Sequence, residues 1–131
     1  MKKAGIYFLF LIIPALIFSC QSRSNQDILT GGNYKYWMFK NYGGKGKVFE
    51  YFDKTGKCLR FVKIFNGDFE KYSWADEITS NYWNMPKYKL INWRGNNFNI
   101  AELTDSIFVV GRDTLIAAPD SLIPVNYRKL Q

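Results

Sequence analysis

Two cysteines, one adjacent pair of carboxylates and a glycine–lysine loop are the residues whose types and spacing could do chemistry, in a chain with no histidine. Without an imidazole, the Ser-His-Asp and Cys-His arrangements cannot be built, and the commonest metal ligand is missing. Asp76 and Glu77 could divide acid and base roles only if their carboxyl groups flanked one glycosidic bond about 5–10 Å apart. Neighbours in an extended chain point to opposite faces, so this pair is expected on a solvated loop. Gly43-Gly44-Lys45-Gly46-Lys47 lacks the four-residue spacing of a phosphate-binding loop and reads as a hairpin tip. Cys58 has no second cysteine three positions away and no basic cluster beside it, so it reads as a small apolar strand residue. No catalytic residue, cofactor or metal site is expected.

Cys20 is different because of what precedes it. Met1-Lys2-Lys3 is positively charged, Ala4 to Phe18 is apolar, and Ile17-Phe18-Ser19-Cys20 closes the stretch, which is the order of an export signal. The apolar run is shorter than the ~20 residues of a spanning helix and contains Pro14, which disfavours a permanent span. Its last four residues resemble a lipobox, with an aliphatic residue three before the cleavage point, a small residue last, and a cysteine that becomes the acylated N-terminus. Residues 1–19 are thus expected to be a lipoprotein signal peptide, and Cys20 the lipid attachment site and membrane partner. At ~0.8 kcal/mol per buried CH₂, two or three acyl chains hold far more firmly than one. Gln21 to Gln26 is polar and aperiodic, and residues 20–28 are expected to form a flexible tether.

With residues 1–19 removed, the remainder is an ordinary size for one small core. Lys and Arg number 18 against 11 Asp and Glu, and losing Lys2 and Lys3 lowers the formal charge from +7 to about +5. The lysines are scattered, which describes a solvated basic surface and selects no partner. Aromatic residues make up 18% of the chain, a composition suited to pleated, half-buried surfaces.

Short apolar or alternating runs are punctuated by Gly, Asn and Asp, as in a meander of hairpins. The predicted strands are 34–39, 47–52, 58–65, 68–74, 87–93, 98–103, 106–110 and 114–118. Asp53-Lys54-Thr55-Gly56-Lys57, Asn66-Gly67 and Arg94-Gly95-Asn96-Asn97 supply turns, and Ala75 to Pro86 reads as a longer connection. In the third run Leu59, Phe61 and Phe65 share a face with Lys63, opposite Cys58, Arg60, Val62 and Ile64, so neither face is purely polar. That predicts burial on one face and a strand end dipping under loops. Residues 119–131, bracketed by Pro119 and Pro124, read as a C-terminal tail in which Leu122, Ile123 and Val125 could lie along a barrel, though proline removes ladder donors.

The stretches Ile28-Leu29-Thr30-Gly31, Phe49-Glu50-Tyr51-Phe52-Asp53-Lys54-Thr55-Gly56, Tyr82-Trp83 and Ile100-Ala101-Glu102-Leu103-Thr104-Asp105-Ser106-Ile107 resemble the bacterial lipocalin-like lipoprotein domains of the Bacteroidota type. Tyr34 stands where true lipocalins usually carry a Trp. The resemblance implies an all-β fold over residues 29–118, a small antiparallel lipocalin-like (calycin) barrel of about eight strands. It also implies a non-enzymatic envelope protein that binds a small hydrophobic ligand or serves a structural role. In a calyx, Tyr51, Phe61, Tyr88 and Leu90 are the ligand-lining candidates; in a filled barrel, which a domain this short favours, such residues are core. The alternative is a protein-interaction module of the inhibitor or immunity type, working through exposed aromatic and Lys residues. Tyr34-Lys35-Tyr36-Trp37 is similar to single-strand nucleic-acid platforms, but export leaves no nucleic-acid partner. The neutral-to-basic tether, unlike the acidic run of surface-exposed lipoproteins of this type, implies an outer membrane location facing the periplasm. The sequence sets no oligomeric state.

Overall fold

Tight turns fold the chain back on itself repeatedly. The computed structural model describes residues 23–42, 44, 46–72 and 81–128. A short helix, α1 (Asn25–Thr30), precedes nine strands: β1 (Tyr34–Phe39), β2 (Gly46–Asp53), β3 (Cys58–Ile64), β4 (Phe69–Lys71), β5 (Trp83–Lys87), β6 (Leu90–Trp93), β7 (Asn96–Leu103), β8 (Ile107–Val110) and β9 (Asp113–Ala117). All pair antiparallel in the order β4-β3-β2-β1-β9-β8-β7-β6-β5. The all-β expectation holds.

Local chemistry explains the turns. Asp53 Oδ1 accepts from the Thr55 N–H, the Thr55 hydroxyl and the Lys57 N–H, and Gly56 takes φ 90°, closing the β2–β3 hairpin. Arg94 and Gly95 both have positive φ, the condition for a tight two-residue hairpin turn, so β7 resumes at Asn96. The predicted run 87–93 is split by a turn at Tyr88-Lys89, with Lys89 at φ 59°. β5 extends back to Trp83, inside the stretch expected to be a connection, which makes nine strands among the described residues rather than about eight. Pro86 is tolerated there because β5 is an edge, where a missing N–H costs no ladder bond.

The sheet is not closed into a barrel. β4 and β5 are its two edges, and among the described residues one isolated bridge, Lys57 to Tyr82, links the start of β3 to the start of β5. Around it the Cys58 N–H donates to Asn81 O at 2.8 Å and the Trp83 N–H to Gly56 O at 2.9 Å. A three-residue β4 and a Pro-bearing, bulged β5 offer too few regular donors for a closing ladder.

Both faces of the β1–β3 half are buried. The inner face carries Trp37, Phe39, Val48, Phe52, Cys58, Trp93, Phe108 and their neighbours, with ring centroids 5.5 Å apart for Phe52 and Trp93 and 5.7 Å for Trp37 and Phe108. The outer face carries Tyr36, Phe49, Tyr51, Leu59, Phe61 and Phe69, covered by the tail through Ile123, Leu122 and Tyr127. The two-sided apolar pattern of β3 therefore reflects a sheet with two covers. The tail lies in two short 3-10 turns, Asp120–Leu122 and Val125–Tyr127. Ile123 is buried in it, whereas Val125 is exposed.

α1 plugs one end of the curled sheet, touching β1, β2 and β7; Leu29 is fully buried and its carbonyl accepts the Trp37 Nε1–H at 2.9 Å. The helix occupies part of the expected tether. Ser24 caps it, its hydroxyl accepting from the Asp27 N–H, and Gly31 ends it at φ 63°. The signal is present in the sequence as Ser24-x-x-Asp27, a capping pattern. The expected signal peptide, residues 1–19, and Cys20 lie outside the described residues, as do Gly43, Lys45, Asp76 and Glu77. No helix among the described residues is long and apolar enough to cross a membrane.

Candidate functional site

The outer surface beside the β2–β3 turn holds an open groove of about 530 Å³ lined by Asn33, Tyr34, Tyr51, Asp53, Lys54, Thr55, Lys57 and Leu59. Strand alternation places Tyr34 and Tyr51 on the same outer face, and the β1–β2 register brings them together. Their rings stack with centroids 5.8 Å apart and planes at 25°. The Tyr51 hydroxyl donates to Asp53 Oδ2 at 3.2 Å. Burial first, and the Asp53 carboxylate second, push the Tyr51 phenol well above its usual range, so it stays protonated and remains a donor. Asp53 holds the turn with its other oxygen. The lysines at positions 54 and 57 are exposed.

A second groove, about 270 Å³, adjoins at Tyr34 and reaches Tyr36, Asp120 and Arg128. The Tyr36 hydroxyl donates to Tyr127 O at 2.7 Å, while Arg128 donates to Ile123 O and Asp120 O, so the tail forms one wall. Nearby, Arg23 pairs with Asp105 Oδ1 at 2.7 Å and Lys35 Nζ donates to Asp105 O at 2.7 Å. Burial lowers the Lys35 pKa, partly offset by Asp105.

The inner face contains one carboxylate that sequence reasoning passed over. Glu50 is fully buried, and its Oε2 accepts from Arg60 Nε at 2.8 Å. Its Oε1 accepts from Trp93 Nε1 at 3.1 Å and from Arg94 Nη2 at 2.6 Å and Nε at 3.1 Å. Arg94 Nη1 donates in turn to Asn81 Oδ1, and the Arg60 guanidinium lies 4.9 Å from the Phe39 ring centroid. The cluster ties β2 and β3 to β6 and the turn after it, across the curl that the backbone leaves open. Its signal was the acid in the apolar run Val48-Phe49-Glu50-Tyr51-Phe52, since a charge is buried only when paired. With every carboxylate contact occupied, it reads as a structural staple.

The four predicted ligand-lining residues do not converge on one cavity. Tyr51 borders the larger groove, Phe61 is buried beneath the tail, Tyr88 is 81% exposed on the β5–β6 turn, and Leu90 is half-buried on β6. On β6 the core residues are instead Ile91 and Trp93. Cys58 is fully buried against the inner core, and burial pushes its thiol up to about 12. The described residues contain no group of three or more Cys, Asp or Glu able to hold a metal ion. No protein-family model, curated protein or solved structure matches the chain.

Proposed function

We propose that the chain is a lipid-anchored, non-enzymatic envelope protein, attached through acylated Cys20, whose domain binds a small ligand on its outer surface. The reading keeps the anchor and the envelope location expected from the sequence, on the outer membrane facing the periplasm, and moves the ligand out of the sheet's interior. The observation that carries it is the groove at Tyr34 and Tyr51, whose volume of about 530 Å³ is ordinary for a small-molecule site. The inner face, by contrast, is occupied by Trp37, Phe52, Trp93 and Phe108 in mutual ring contact. Affinity to the lipocalin-like lipoproteins remains part of this proposal, in an open-sheet form.

Cys20→Ala tests the anchor. The wild type should partition with membranes and carry the mass of two or three acyl chains on intact-mass measurement, whereas the variant should lack them. A Cys20→Ala protein extracted only by detergent would assign the anchoring to the apolar N-terminal segment instead.

The β3–β4 tip favours a second reading, the protein-interaction module. Ile64 and Phe65 there are 58% and 75% exposed beside Lys47 and Lys63. An in-envelope crosslink from position 65 to one stoichiometric protein, lost in Phe65→Ser, is the result that reading requires.

A further inference from the structure

Attachment at Cys20 would orient the domain as well as locate it. Three residues of extended chain reach about 10 Å, which is all that separates Cys20 from Arg23, and Arg23 directly precedes the Ser24 cap of α1, whose Leu29 is fully buried, and pairs with Asp105 in the β7–β8 turn. The end of the sheet bearing α1 and that turn is then held within headgroup distance of the bilayer. The larger groove opens at the same end. Lys54, on its rim, donates its backbone N–H at 2.8 Å to the carbonyl of Asn33, which itself lines the groove just past the glycine cap of α1.

We propose that this groove takes the phosphorylated polyol headgroup of a lipid in the leaflet that holds acylated Cys20, an inference that rests on the anchored reading above. Lys54 and Lys57 supply two exposed cations against one anion, Asp53. Asp53 already accepts from Thr55, Lys57 and Tyr51, so the free donors at the rim belong to the lysines. A lysine is a compact point charge suited to phosphate. Asn33 offers an amide to hydroxyl groups, and the ring of Tyr34, supported by Tyr51, gives the carbon skeleton of a polyol an apolar wall.

The test uses the full mature protein in a non-ionic detergent, with backbone amide shifts of residues 54–57 as the readout. Three probes are titrated: dihexanoyl-phosphatidylglycerol, glycerol 1-phosphate and inorganic phosphate. The first two should give saturable shifts, and Lys54→Gln/Lys57→Gln should weaken both at least tenfold while leaving amides on the inner face unmoved. Saturation by inorganic phosphate as tight as by glycerol 1-phosphate, with none by the lipid, would reassign the site to free phosphate and overturn the proposal. No saturable shift with any probe would overturn it outright. Intact mass of the same sample separates the two layers: acylated protein without headgroup binding leaves the anchor standing and removes the headgroup site. Headgroup binding by protein lacking acyl chains supports the site and removes the anchor.

Discussion

Glu50 shows how much one side chain can carry. Its carboxylate is out of water entirely and is matched to Arg60, Arg94 and Trp93. Two guanidiniums, 15% and 12% exposed, lose their shared anion if it is removed. Breaking a buried pair from one side typically costs about 3–5 kcal/mol because the remaining charge is stranded. Glu50→Ala should therefore lower the unfolding free energy measured in urea by that order, far more than removal of the exposed pair Arg23–Asp105, for which about 0–1 kcal/mol is usual. Similar midpoints for Glu50→Ala and Asp105→Ala would show that the cluster is not a staple. The groove residues are cheaper: the lysines at 54 and 57 have exposed side chains and can be changed without disturbing the sheet.

Among the elements, the C-terminal tail covers the outer face. Tyr127 lies 5.0 Å from the Phe69 ring centroid and 5.5 Å from that of Phe61, and Ile123 is 3% exposed. Burying one such aliphatic side chain is worth about 1.5–3 kcal/mol. Truncation after Ala118 should accordingly lose at least about 3 kcal/mol in urea unfolding and expose an apolar face that binds a hydrophobic dye. Tyr127→Ala is the milder variant, folded but dye-positive; neither change raising dye binding would mean the tail is not a cover. β5 and α1 show why element boundaries were harder to read. β5 contains Pro86, which argues against a strand until its edge position is known, and α1 has only six residues, too few for a visible helical period. Its Ser24 cap lies in the stretch read as a flexible tether, and its apolar residues acquire a role only once Leu29 meets Trp37.

For the molecule as a whole, burial of protonated groups makes alkaline pH a global stress. Cys58, Tyr36 and Tyr51 all have raised pKa values, in each case mainly through burial. The folded state then holds protons that the unfolded chain releases above about pH 8.5–10. Their stabilising contribution is complete below that range and falls as pH rises toward the folded-state values. The urea midpoint should decline steadily between pH 8 and 11, Cys58→Ala should flatten the first part of the decline, and Cys58 should resist alkylation at pH 8 until the chain is unfolded. A flat midpoint with rapid labelling of the native thiol would contradict this.

The hairpin order and most strand positions were legible along the chain, because turn residues and apolar alternation act over a few neighbouring residues. Glu50's partners, Arg60, Trp93 and Arg94, are separated from it by 10 to 44 positions, so no local pattern pairs them. The groove is likewise made by the register of β1 on β2 and by the turn folded beside Asn33. Whether the sheet would close was also a tertiary matter: a barrel needs its two edge strands to share a ladder, and the short β4 and the Pro-bearing β5 leave the backbone bridge at Lys57 and Tyr82 and the side chains centred on Glu50 to hold the curl together.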